Sequence, residues 1–277
     1  MKLRSILTIF TTVLLAACTA HPPFAFLAQP ATPPSADVVR LADAAAMTDK
    51  ARQIFYAAQP VIDTDRTTFD SHCQTQVSRN TVELGCYTSD NHIYILNINQ
   101  SQLSEEMVVV AAHEMLHAAY AQMSIQDMAA LNSQLENAVT QLHSQALAMQ
   151  LREYRLTEPG QRDNELHSIL GTEYAPLDPD LEQYYSQYLT DRLTIVKDAQ
   201  QFDQAFARIE STLANLRSQM NQLKQTMAVD LRHRNLAAYN ALVARLNTLA
   251  KQYNQNIGAY NALSRSLLGE ELNAGSQ

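Results

Sequence analysis

His113, Glu114 and His117 stand in the run "VVAAHEMLHAAYAQ", Val109 to Gln122, where every other residue is uncharged. Ionisable groups buried in such a run cost free energy unless something pairs with them. A metal ion is a partner that all three can share. On a helix His113 and His117 lie one turn apart and leave the same face, about 5–6 Å apart at Cβ. Two imidazoles so placed can meet one zinc ion at about 2.0–2.1 Å. Glu114 is offset by about 100° around the helix, so it flanks the ion and can take a proton from a water that the ion acidifies. This is the mechanical content of an HExxH motif. The competing reading is a satisfied structural pair of histidines.

A catalytic zinc also needs a third protein ligand and an open position. Tyr120 and Met123 stand where an extended HExxHxxGxxH motif carries Gly and His, so the class built on that longer motif is excluded. Further along the chain comes Asn164-Glu165-Leu166-His167-Ser168 on a short helical stretch. The order of a strand hairpin, an HExxH helix, a connecting helix and a helix bearing NExxS resembles a minimal gluzincin metallopeptidase over residues 61–176. That resemblance implies a zincin-like catalytic domain with one zinc per chain, held by His113, His117 and Glu165, and with Glu114 as general base. Ile169 stands where that family often has an acidic residue. Glu173, two turns beyond Glu165, is the reserve ligand. His167 is about 200° around the helix from Glu165 and cannot easily share its ion. It is either an ordinary surface or core histidine or, if it faces a cleft, a stabiliser of the oxyanion. Tyr120 and Tyr154 are further conceivable donors, or packing residues. The resemblance also gives "HIYILNI", His92 to Ile98, the role of pairing with an extended peptide. By itself this run reads as a half-buried edge strand.

These residues need elements to position them, and the pattern is α+β. Ser35 can cap a helix from Ala36 to Ala58 that Pro60 ends. Val61-Ile62, Thr81–Tyr87 and His92–Ile98 are short, β-branched or aromatic, and "SDN" at 89–91 is turn chemistry between the last two. A small antiparallel sheet follows from that. Ser104 caps the HExxH helix, which runs to about Met123. Ser124, with Asp127 three residues on, starts the next helix, whose buried face is Met128, Leu131, Leu135, Val139 and Leu142. "EPGQR" at 158–162 breaks the chain, and Asp163 caps a helix to about Tyr174, closed by Pro176. Beyond Pro179, Phe202, Phe206, Ile209, Leu213, Leu216, Met220, Leu223 and Met227 alternate spacings of four and three, a heptad seam. Tyr239, Leu242, Leu246, Leu249 and Tyr253 form a second. The slip near "VDLRHRN", 229–235, predicts an all-α coiled-coil hairpin over 177–277; a continuous dimerising rod is the alternative.

The N-terminus carries an address. Lys2 and Arg4, the apolar stretch Ile6–Leu15 and the exit Ala16-Ala17 have the layout of a secretory signal over 1–17. Leu15-Ala16-Ala17-Cys18 looks like the lipobox of bacterial lipoproteins, which implies lipidation of Cys18 and anchoring on the extracytoplasmic side of a membrane. An ordinary cleaved signal with a chance cysteine is the plainer account. Pro22, Pro23, Pro30, Pro33 and Pro34 make 18–35 an extended tether before a catalytic domain over 36–176. With Cys18 set aside, Cys73 and Cys86 form an even pair, suited to a disulfide in an oxidising compartment or left as two buried thiols. Without Lys2 and Arg4 the formal charge moves from −8 to −10, which argues against nucleic-acid binding. Two functions follow. One is a membrane-tethered zinc metalloendopeptidase acting on a peptide or protein substrate. The other is a non-catalytic envelope lipoprotein whose coiled-coil arm binds a protein partner.

Overall fold

The computed structural model describes residues 8–9, 33–73, 81–98, 103–157 and 160–268. The signal (1–17), Cys18 and most of the tether therefore lie outside the described residues. The exception is Thr8–Ile9, which pairs in parallel with Thr81–Val82. Among the described residues no helix is long and apolar enough to cross a membrane. The architecture is α+β: ten helices and a three-stranded sheet among the described residues. The chain divides into two compact units, 1–202 and 203–277.

In the first unit Ser35 caps α1 (Ala36–Ala44) by accepting from the Val38 N–H. The helix expected to continue to Ala58 instead stops, and α2 spans Asp49–Ala57. Ala46 adopts φ 50°, and Thr48 accepts from the Ala51 N–H as a new cap. Tertiary pairing fixes that break, because Thr48 N–H donates to Tyr188 O and Thr190 N–H to Ala46 O. α3 (Arg66–Cys73) occupies a stretch that the β-branched pattern did not mark as helix.

The hairpin is present: Gly85–Tyr87 pairs antiparallel with Ile93–Leu96 around a turn in which Asn91 takes φ 62°. Val61–Asp63, however, pairs with Ile93–Leu96 in parallel, with Ile62 opposite Ile95. The sheet is thus mixed, not antiparallel, and Ile93–Leu96 is its centre. The expectation that "HIYILNI" is an edge strand open to a peptide is overturned, since both of its edges are already paired. The two outer strands are Val61–Asp63 and Gly85–Tyr87.

α4 (Glu106–Ala121) packs between this sheet, α1 and α2 on some sides and α7 on another. Val108 to Tyr120 are all buried. A helix apolar on every side belongs at the centre of a core, which explains why its polar trio must be satisfied internally. Its N-cap is Glu105, without a side-chain cap bond, where Ser104 was expected. Ser124 does cap α5 (Ile125–Leu142), which buries Leu131, Leu135 and Ala138. The chain then kinks at His143, φ 46°, before α6 (Gln145–Thr157). α7 (Arg162–Thr172) starts after Gln161, not at an Asp163 cap, and Asn164 to Thr172 are all buried.

The segment from Pro179, read as the start of the arm, belongs to the first unit. α8 (Pro179–Ser186) is capped by Asp178 and buries Leu181 and Tyr185. α9 (Arg192–Arg232) buries Ile195, Val196, Ala199 and Phe202 before the unit boundary.

The second unit is a helical hairpin of α9 and α10 (Leu236–Leu268). Leu216, Leu223 and Leu249 form its seam, with Met220, Leu242, Leu246 and Tyr253 against them. Phe206 meets Tyr260 with ring centroids 5.7 Å apart, so the helices run antiparallel. Arg234 at φ 55° turns the chain, and a continuous rod is ruled out.

Candidate metal centre

α4 and α7 face each other, and the candidate site lies between them. Gly171 permits the approach: a Cβ there would lie 2.3 Å from Leu116 Cδ1 and 2.8 Å from Tyr185 Cε1. His113, His117 and Glu165 come together, each offering one ligand atom within 4.8 Å of the others. His113 Nε2 is 3.9 Å from Glu165 Oε2, and His117 Nε2 is 3.6 Å from Glu165 Oε1. The two imidazole centroids are 4.8 Å apart. His113 is 2% exposed, while Glu114, His117 and Glu165 are fully buried.

The other nitrogen of each ring is held by α7. His117 Nδ1 lies 3.0 Å from Asn164 Oδ1, and His113 Nδ1 3.2 Å from Thr172 Oγ1. Thr172 Oγ1 donates its own proton to Ser168 O at 2.8 Å, so it accepts from His113. With the amide oxygen of Asn164 towards His117, both rings carry their proton on Nδ1 and turn an Nε2 lone pair towards Glu165. Burial keeps the rings neutral. It drives His113 well below its ordinary value, aided by His117 and His167. It lowers His117 to about 4, against the opposing bond to Asn164. Two neutral imidazoles and a carboxylate converging in a dry space suit a divalent cation, and the donor set N, N, O is one that zinc accepts. The residues fit a metal.

Glu114, the next residue after His113, is buried against the edge strand Gly85–Tyr87. A Cβ on Gly85 would fall 2.7 Å from Glu114 Oε1 and 2.4 Å from Val110 Cγ1. The glycine lets the strand backbone press against the carboxylate.

The remaining sequence candidates separate from this group. Glu173 is the C-cap of α7 and does not join the metal group. His167 points away from it into an aromatic cluster. Its Nε2 is 3.0 Å from the Tyr184 hydroxyl, and Tyr120 and Tyr185 lie at ring-centroid distances of 5.4 and 5.6 Å. Burial first, and His117 second, lower it to about 3. The Tyr120 hydroxyl donates to Asn132 Oδ1, and Tyr154 is fully buried. Cys73 and Cys86 are joined as a disulfide. Glu83 stands beside them, but sulfurs already bonded to each other are not thiolate donors.

Sequence reasoning missed Asn164, Thr172 and Arg192. Arg192 is 4% exposed and donates to the carbonyls of Leu170 and Tyr174 at 3.1 and 2.8 Å, closing the C-terminal end of α7. It also pairs with Glu182. Asn164 stands inside the quoted NExxS stretch and was legible there as a polar residue beside the ligand; Arg192 gave no local signal.

Comparison leaves these observations to stand alone. No family model matches the sequence, and neither curated proteins nor solved structures gave a match.

Proposed function

We propose that this chain is a zinc-dependent peptidase exported from the cytoplasm and lipid-anchored through Cys18. The observation that carries the reading is the convergence of His113 Nε2, His117 Nε2 and the Glu165 carboxylate, with both Nδ1 atoms held from α7. The disulfide between Cys73 and Cys86 suits an oxidising compartment.

In this reading His113, His117 and Glu165 hold the ion and α7 orients both rings. When bound, zinc supplies a Lewis acid that polarises a peptide carbonyl and acidifies water. Glu114 takes the proton from water as its oxygen adds to the carbonyl carbon. It then delivers that proton to the amide nitrogen as the C–N bond breaks. In the antiparallel pairing of Leu84 with Leu96, the backbone of Gly85 and Tyr87 points to the outer edge. In this reading an extended substrate pairs along that edge, not on Ile93–Leu96, and must displace what buries Gly85–Tyr87.

Metal analysis of the purified chain, with and without Glu165→Ala, tests the site. Glu114→Gln tests the chemistry, with zinc retained and hydrolysis of an unstructured substrate reduced about 10²–10⁴-fold. Zinc bound with undiminished cleavage by Glu114→Gln ends the mechanism.

Complete burial of Glu114, His117 and Glu165 favours a second reading, in which a structural metal braces α4 against α7 in a non-catalytic lipoprotein. Bound zinc with no hydrolysis of any unstructured substrate by the intact chain, or by the chain lacking 203–277, would select it.

A further inference from the structure

The turn joining α9 and α10 concentrates side chains that the hairpin does not use. Eight large hydrophobic residues are exposed among the described residues, and three fall in the eight positions from Val229 to Leu236. Leu231 is 55% and Leu236 60% exposed. Arg232, His233 and Arg234 lie between them, all exposed. Asp230 is the sole acidic residue in this segment.

The turn itself is closed by backbone bonds. His233 N–H donates to Val229 O, Arg234 N–H to Leu231 O and Asn235 N–H to Asp230 O. Asn235 then caps α10, its Oδ1 accepting from the Ala238 N–H. The helices pair through Leu216, Leu223 and Leu249 without these side chains. Neither the turn nor the seam therefore explains two leucines and two arginines left in water.

We propose that Val229–Leu236 is a lipid-contacting tip that docks on the surface of an anionic bilayer. Leu231 and Leu236 enter the boundary between headgroups and acyl chains, where their apolar surface leaves water. Arg232 and Arg234 meet headgroup phosphates. The chain as a whole carries −8, but that charge is screened beyond about 8–10 Å, so the local cations decide the attraction. An anionic polymer would satisfy the arginines and leave the leucines wet. A bilayer surface offers both phases within one plane. The assignment rests on the arm alone and is independent of the metal centre.

The chain has no tryptophan and 12 tyrosines, so Leu231→Trp in the full chain places its sole tryptophan at the tip, excited at the red edge where tyrosine does not absorb. Vesicles rich in phosphatidylglycerol shift its emission to the blue, and brominated acyl chains quench it. Phosphatidylcholine vesicles do neither. Adding Arg232→Ser and Arg234→Ser raises the lipid concentration for half-maximal shift about 30-fold, with helical circular dichroism unchanged. The proposal is overturned if the emission stays that of water-exposed tryptophan while the chain sediments with anionic vesicles through its N-terminus. An equal shift with phosphatidylcholine overturns it as well.

Discussion

Asn164 Oδ1 lies 3.0 Å from His117 Nδ1, and its neighbour Glu165 sets Oε1 3.6 Å from the other nitrogen of the same ring. Two consecutive residues of α7 thus address both ends of one imidazole. The first fixes which nitrogen keeps the proton, and the second supplies the negative charge of a group that could hold a cation. Thr172, two turns on, does for His113 what Asn164 does for His117.

Asn164→Ala should therefore weaken metal affinity 10–100-fold, and Thr172→Val by a similar factor, with the fold intact. Competition against a calibrated chelator measures both. Unchanged affinity in both variants would mean that the rings are oriented by packing alone.

Gly85→Ala should destabilise the chain by about 1–3 kcal/mol. The new methyl must displace Val110, the Glu114 carboxylate or the strand itself. Denaturant unfolding gives the cost, and metal content should hold because no ligand moves directly. Wild-type stability would contradict the close approach of strand and helix.

The buried histidines set a pH dependence for the metal-free chain. Their native values lie below the ordinary 6.5, at about 4 for His117 and about 3 for His167, with His113 also well below. The unfolded chain binds protons first as pH falls. Stability is thus full above about pH 6.5 and declines through pH 4 towards 3, by roughly 1.4 kcal/mol per pH unit per histidine. Urea midpoints in chelator should stay level from about pH 7.5 to about 6.5 and fall from there to about 4.5. A flat profile would show that the rings are not buried neutral.

Arg192→Met should cost about 3 kcal/mol. It removes the donors to Leu170 O and Tyr174 O at the end of the helix that carries Glu165. Thermal unfolding measures it. A shift no larger than that of a surface substitution would mean that water replaces the guanidinium.

The sequence alone determined what depends on neighbours within a few residues. The i, i+4 spacing of His113 and His117, the caps at Ser35 and Ser124, the turn before Ile93 and the heptad seam are local, and each is realised. Glu165 was reachable only through resemblance, because nothing in its own stretch says which distant helix it meets.

Tertiary structure decided the rest. It set Thr172 Oγ1 against His113 Nδ1, a contact between residues 59 positions apart that no local pattern announces. It broke the helix expected over 36–58, where Thr48 found the Tyr188 carbonyl 140 residues away. It placed Ile93–Leu96 in the middle of the sheet, because the parallel pairing with Val61–Asp63 is a non-local contact that no short-range pattern encodes. Strand order, ring orientation and helix ends closed by remote side chains all depend on which surfaces meet, and that is fixed only when the whole core packs.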